Sequence, residues 1–300
     1  MGGFALDEER VLLPTGAWAR TRRRMLRHAD RPVLGLTAGA FRPYLFPVHT
    51  PAGFAVTQES PADHPHHHSL WIGADHVHLA MPSHEERDEI YAYNCYVNDV
   101  FQGRAPGRIV ATSLRGENAE GGFRIVQTME WRGPVEWGAP EGRLLMTESR
   151  RLAVREVPGA YVIDVVSELA PASHRIVLGP TRHAYFNFRV APSMSVEGGG
   201  VLCDDRGVHA SAAEVDVRAC WIAASGPVGG GHRAGVALAP RGNGRAWWWF
   251  VSDWGVATAS PCRDEGLELR PGDPPVTLEA RYAVFDGDAE VTRCSDLLAA

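Results

Sequence analysis

No apolar run in this 300-residue chain reaches the ~18 residues that a membrane-crossing helix needs, so no membrane span is expected. Cysteine is scarce and scattered. Cys95, Cys203, Cys220, Cys262 and Cys294 are odd in number and form no C-x-x-C pair, which argues against a disulfide framework and suits reduced thiols. Neither sign of charge dominates: the formal net charge is -6, which offers no field for nucleic acid. The best basic run, Arg20-Thr21-Arg22-Arg23-Arg24 with Arg27, is short, mixed with apolar residues and reads as a solvated strand edge. There is no G-x-G-x-x-G after a strand and no phosphate loop, so no nucleotide cofactor is expected. Gly229-Gly230-Gly231-His232-Arg233 reads as a flexible turn. The first ten residues lack a basic segment followed by an apolar one, so no signal peptide is expected, and with the reduced thiols this predicts a cytoplasmic protein.

Long helical periodicity is also missing. Short alternating or β-branched runs recur instead, as in Phe123–Trp131, Ala160–Leu169, Ala246–Val251 and Val276–Phe285. Breakers such as Gly121-Gly122, Pro158-Gly159, Gly198-Gly199-Gly200 and Pro271-Gly272-Asp273 separate them. Helix is expected at Asp288–Ala300, with a helical turn near Ser83–Glu89. No repeat, low-complexity segment or linker divides the chain. The pattern predicts one all-β domain over residues 1–300, a large antiparallel β-sandwich with few short helices; 45% apolar residues suffice for its core.

What the chain does have is histidine in one place. Asp63-His64-Pro65-His66-His67-His68-Ser69-Leu70-Trp71, continued through His76 and His78, holds six of the thirteen histidines. Imidazole transfers protons near neutral pH and is the commonest metal ligand. In an extended segment His64, His66 and His68 would share one face, with His67 on the other. The interleaved Pro, Asp and Trp and the internal position exclude an expression tag, though a solvated loop binding metal adventitiously stays open. The flanking Phe41–Val48 and Ser69–Gly73 read as ordered strands that hold the cluster.

Two further groups stand out. Pro180-Thr181-Arg182-His183-Ala184-Tyr185-Phe186-Asn187-Phe188 sets an Arg-His pair at the head of an aromatic strand. Near the C-terminus lie Asp253, Asp264, Glu265 and Glu268, most of which read as turn residues.

From about Arg42 to Asp288 the chain resembles the bacterial family labelled "methane oxygenase PmoA". The matching residues are Arg42-Pro43-Tyr44 through Pro47-Val48, Asp63-His64-Pro65-His66-His67 with Ser69-Leu70-Trp71 and Gly73, Thr181-Arg182-His183, and Ser252-Asp253-Trp254-Gly255. The pattern Leu269-Arg270-Pro271-Gly272-Asp273 leading to Tyr282-Ala283-Val284-Phe285-Asp286-Gly287-Asp288 closes the match. The family usually carries Arg where this chain has His68, and Lys-His where it has Arg182-His183. Membrane methane oxygenases need spanning helices, and this chain has no candidate for one. More distantly, Arg182-His183-Ala184-Tyr185-Phe186-Asn187-Phe188 is similar to the Asn-His-Ser-Tyr-Phe-Asn-Leu strand of galactose mutarotases. That resemblance implies a two-sheet supersandwich whose concave face binds carbohydrate. It also implies His183 as general acid, one of His64, His66 or His67 as its assistant, and Glu265 or Glu268 as base.

Three readings follow for the site. One is an enzyme acting on a sugar, cyclitol or sugar-derived molecule by general acid/base chemistry (epimerase, isomerase, lyase or hydrolase), with His64, His66, His67, His183 and Glu265 catalytic. Arg42, Tyr44, His68, Trp71, Arg182 and Trp254 would then bind substrate, the arginines by gripping an acidic or oxidised group. The second adds one divalent metal ion held by a set drawn from His64, His66, His68 and His183, which with iron or copper would extend to oxygen chemistry. The third is a non-catalytic carbohydrate-binding sandwich.

Overall fold

Alternation of inward apolar and outward polar side chains runs through the long strands. In Gly122–Arg132 the buried residues are Phe123, Ile125, Gln127, Met129 and Trp131, every second position. The computed structural model describes residues 3–12, 21–83, 87–212, 218–242 and 247–299. They form an all-β sandwich, antiparallel apart from one short parallel pairing of Tyr93-Asn94 with Ala105-Pro106.

The first nine-stranded sheet runs in the order Phe4–Leu6, Thr21–His28, Arg31–Ala38, Pro43–Val48, Leu70–Ala74, Ala184–Arg189, Val256–Ser260, Trp248–Val251, with Arg10–Leu12 also paired to Thr21–His28. The second, also nine-stranded, is built on the hairpins Arg108–Ala119/Gly122–Arg132 and Leu144–Val157/Ala160–Pro171. It continues through Val276–Asp286, His232–Arg241, Ile222–Gly229, Val201–Asp204 and Gly207–His209. A third sheet of five strands contains Val77–Pro82, Asp88–Asn94 and Arg175–Leu178. One buried cluster joins the two large sheets, with Leu34, Leu45, Leu70, Ile72, Phe186 and Phe188 from the first against Ile125, Met129, Leu152, Val165 and Tyr282 from the second.

The expected strands at 123–131, 160–169 and 276–285 are present, each extended by one or two residues. The fourth is shorter, Trp248–Val251, and Ala246 lies outside the described residues. The C-terminal helix spans Val291–Ala299. Of the turn expected at Ser83–Glu89, residues 84–86 lie outside the described residues, while Asp88 and Glu89 open a strand. In the basic run, Arg23 pairs with Glu59 at 2.8 Å and Arg24 donates to the Asp7 carbonyl at 2.8 Å; Arg20 lies outside the described residues. Among the described residues no helix is long and apolar enough to cross a membrane.

Two features position the site. The face of the first sheet turned away from the core carries Tyr44, Trp71, Val256 and Phe250, a separate aromatic patch. Residues 49–69, between the strands Pro43–Val48 and Leu70–Ala74, fold back over this face through bridges of His49 to Ala55, Thr57 to Val190 and Glu59 to His68. Second, the chain passes twice between the first and third sheets, once at Asp75-His76 and once at residues 179–183. The register Ala184 to Ala74 sets these passages side by side, and the Asp75 N–H donates to the His183 carbonyl at 3.2 Å.

Candidate functional site

The histidine segment is not a strand, and the alternation expected for it does not occur. The His64 N–H donates to the Pro61 carbonyl at 3.1 Å and the His67 N–H to the His64 carbonyl at 2.9 Å, giving two successive turns. Pro61 and Pro65 favour turns over a ladder, because proline supplies no N–H. Turn geometry gathers His64, His66 and His67 instead of alternating them. His64 stacks on His67 at 4.8 Å and on Trp254 at 4.3 Å, while His66 meets His67 edge-on at 4.5 Å. His68 turns the other way. It is buried, stacks on Tyr44 at 4.6 Å and shares a 3.3 Å hydrogen bond with Ser60 Oγ.

Tyr96 carries this cluster across to His183. The Asn94 side-chain oxygen accepts the N–H groups of Tyr96 and Val97, both at 2.8 Å, and so fixes the turn that lays the Tyr96 ring on the patch. The ring lies 5.7 Å from His66 and 5.4 Å from His183. Phe250, 5.4 Å from His183, closes the far side.

Each end of this row is an imidazole backed by a carboxylate. His183 Nδ1 donates to Asp75 Oδ2 at 3.2 Å, and His64 Nδ1 donates to Asp63 Oδ2 at 2.8 Å. These bonds leave Nε2 of both rings as the atom available for proton transfer; Arg182 Nε donates to that atom of His183 at 3.2 Å. Asp75 is 2% exposed and also accepts from His76 Nδ1 at 2.7 Å and Thr181 Oγ1 at 2.5 Å. Burial would raise its carboxyl, but the hydrogen bonds from His183, His76 and Thr181 outweigh that and hold it down at about 2. Asp63 behaves alike at the rim: partial burial opposes, but His64 and Arg189 hold it below the usual carboxylate range.

The histidines between the two ends stay uncharged. Burial, then the charge of Arg42, pushes His66 down to about 3. Burial, with His66, His64 and Arg189 nearby, drives His67 far lower, and burial with Arg42 does the same to His68.

The structure therefore brings together His64, His66, His67, His183, Arg182 and Trp254 of the expected residues. It sets Arg42, Tyr44, His68 and Trp71 beneath them. Arg42 is fully buried and donates to the carbonyls of Cys95 and His66 and to Asn98 Oδ1, so it shapes the loop from below. Tyr44 donates its hydroxyl to Glu59, and Trp71, 2% exposed, is covered by the His67 ring at 5.0 Å. Glu265 is exposed and forms no hydrogen bond with a site histidine among the described residues, while Glu268 is occupied by Arg175 and Arg270. Asp253 takes the Ala212 N–H. The set His64, His66, His68 and His183 does not assemble around one point, since the rings meet by faces and His68 is turned away. Among the described residues no three His, Cys, Asp or Glu side chains could hold a metal ion.

Asp75, Tyr96, Phe250 and Arg189 were not expected. Asp75 had a signal: Asp75-His76-Val77-His78 repeats the Asp-His-x-His order of Asp63-His64-Pro65-His66, and in both the aspartate accepts from the next histidine. Arg189, which donates to Asp63 at 2.9 Å and lies over Trp254 at 4.5 Å, closes the strand Ala184–Arg189.

A family described as of unknown function, DUF6807, matches residues 23–299. No curated protein matches. A crystal structure of the Slr1438 protein from Synechocystis sp. PCC 6803 is similar at 7% identity and a TM-score of 0.35, over 93% of this chain and 96% of that one.

Proposed function

Because the chain belongs to DUF6807, a family of unknown function, its activity must be read from the site, and we propose a general acid/base enzyme acting on a sugar, cyclitol or sugar-derived small molecule. The observation that carries this reading is the pair of carboxylate-backed imidazoles, Asp75–His183 and Asp63–His64, at opposite ends of one aromatic-walled row. A carboxylate on Nδ1 fixes the tautomer and stabilises the imidazolium formed when Nε2 takes a proton. His183 is then a base at Nε2, and His64, once protonated, an acid. Proton transfer by such positioned groups contributes about 10²–10⁴ in rate.

The rest of the site suits this role. Neutral His66 adds hydrogen-bonding capacity without a competing charge, and Tyr96, Phe250 and Trp254 wall the row and hold the imidazoles in place.

The test is solvent deuterium exchange, followed by proton NMR, into a panel of aldoses, sugar acids and cyclitols with wild type, His183→Gln and His64→Gln. Exchange at one carbon in wild type, lost by about 10² or more in His183→Gln, is expected. Binding without any exchange would favour a non-catalytic module, and undiminished exchange in both variants would remove the acid/base assignment.

A further inference from the structure

The charge around the row is unbalanced in one direction. Arg42, Arg104, Arg182 and Arg189 all border it, whereas the carboxylates in contact are Asp63 and Asp75. With Glu197, whose charge reaches Arg189, and the Glu59–Arg23 pair beneath Tyr44, four carboxylates face five guanidiniums. The chain as a whole is acidic, at -6, so this local excess runs against the bulk composition. Arg42 is 0% exposed and, among the described residues, is matched only by neutral oxygens, of Cys95, His66 and Asn98. A buried guanidinium without a counter-charge is costly unless something supplies the missing anion.

Three of the guanidiniums have hydrogen-bonding capacity left over; Arg104, whose Nε is buried with no partner, is one. Arg189, 4% exposed, uses one nitrogen on Asp63, and its Nε and Nη1 are buried with no partner. Arg182 is exposed and rests on the Phe250 ring at 4.5 Å, with Nε given to His183. No carboxylate pairs with it among the described residues. Its resting place also covers the nitrogen through which His183 would act. A ligand that draws the guanidinium aside therefore does two things at once: it is gripped, and it uncovers the base.

We propose that the substrate is an anion, a carboxylate-bearing sugar or polyol acid, and that Arg182 is its specificity-determining clamp. This deepens the acid/base reading and rests on it. Guanidinium grips carboxylate through two parallel N–H···O bonds, a geometry that a neutral hydroxymethyl group cannot match. The carboxylate also adds negative charge where guanidiniums are in excess, which a neutral sugar does not.

Calorimetric titration of the full chain tests this with matched pairs, glucuronate against glucose and galacturonate against galactose, at low and high ionic strength. Wild type, Arg182→Gln and Arg182→Lys are compared. The acid of one pair is expected to bind at least about tenfold more tightly than its neutral partner, the value of one charged hydrogen-bonded contact. Salt should narrow the gap. Arg182→Gln should erase it with no change in melting temperature, the side chain being exposed, and Arg182→Lys should restore part of it. Equal binding of acid and neutral sugar, with deuterium exchange still dependent on His183, would overturn the anion proposal and leave the acid/base reading standing. Preference for the acid that survives Arg182→Gln would overturn the clamp. No binding of any member at millimolar concentration would overturn the proposal, and lack of exchange across the whole panel would remove the acid/base reading as well.

Discussion

Replacing Asp75 with Asn changes one oxygen to an amide nitrogen and almost no volume, yet it reaches both the stability of the fold and the chemistry of the site. The carboxylate is 2% exposed and takes hydrogen bonds from His183, His76 and Thr181. Its folded-state value of about 2 lies below the ordinary 3.8. At about 1.4 kcal/mol per unit, the charged form contributes about 2–3 kcal/mol to stability. A depressed carboxylate contributes this above its unfolded value and loses it as pH falls through the folded one. The advantage of wild type over Asp75→Asn should thus be full above about pH 5, shrink below 4 and be nearly gone at about 2. For a chain of this length it corresponds to a fall in melting temperature of about 3–5 °C at neutral pH. Urea titrations of both proteins from pH 7 down to the acid limit would measure it. Catalysis should suffer more. An amide NH₂ facing His183 Nδ1 favours the tautomer with its proton on Nε2, so the base loses its lone pair, and turnover should fall by about 10²–10⁴. A stability difference that does not change with pH, or full turnover in Asp75→Asn, would refute the assignment of a charged, orienting carboxylate.

The neutral histidines make the fold sensitive to acid: unfolding lets His66, His67 and His68 bind protons they refuse when folded. Stability should be level above about pH 6.5 and fall below it by about 1.4 kcal/mol per unit for each, a slope that His68→Gln should reduce by one proton in the same denaturation series. A flat profile between pH 6.5 and 5 would count against their burial in neutral form. Arg42→Met should lower stability by about 3 kcal/mol in urea unfolding, because it strands the carbonyls of His66 and Cys95 and the Asn98 oxygen. It should also weaken exchange at the site, since His66 loses its support; an unchanged midpoint would show that the loop holds itself.

The strands were legible because alternation is local. Phe123 to Trp131 declare a half-buried strand by their order alone, and the structure differs there by a residue at each end. The histidine segment misled for an equally local reason: alternation applies only to extended chain, and the two prolines that flank and divide the cluster fold it into turns. Arg42, Tyr44 and Trp71 read as ligand-facing because polar and aromatic residues near a histidine cluster look alike whether they lie above it or below. Only the fold of residues 49–69 over the sheet separates the two, since the histidine turns cover Tyr44 and Trp71 on one face.

The class of structure is written in the sequence, because short alternating runs broken by glycine and proline specify antiparallel sheets; the clustered imidazoles mark the place of the proposed site. Which carboxylate serves which histidine is set in three dimensions. Asp75 and His183 are 108 positions apart, and they meet because the chain crosses between two sheets at both places in a register set by Ala74 and Ala184. The Glu265 expected from resemblance lies exposed in a loop of its own. A hydrogen bond of about 3 Å depends on the positions of both partners, and a residue's neighbours along the chain fix only one of them.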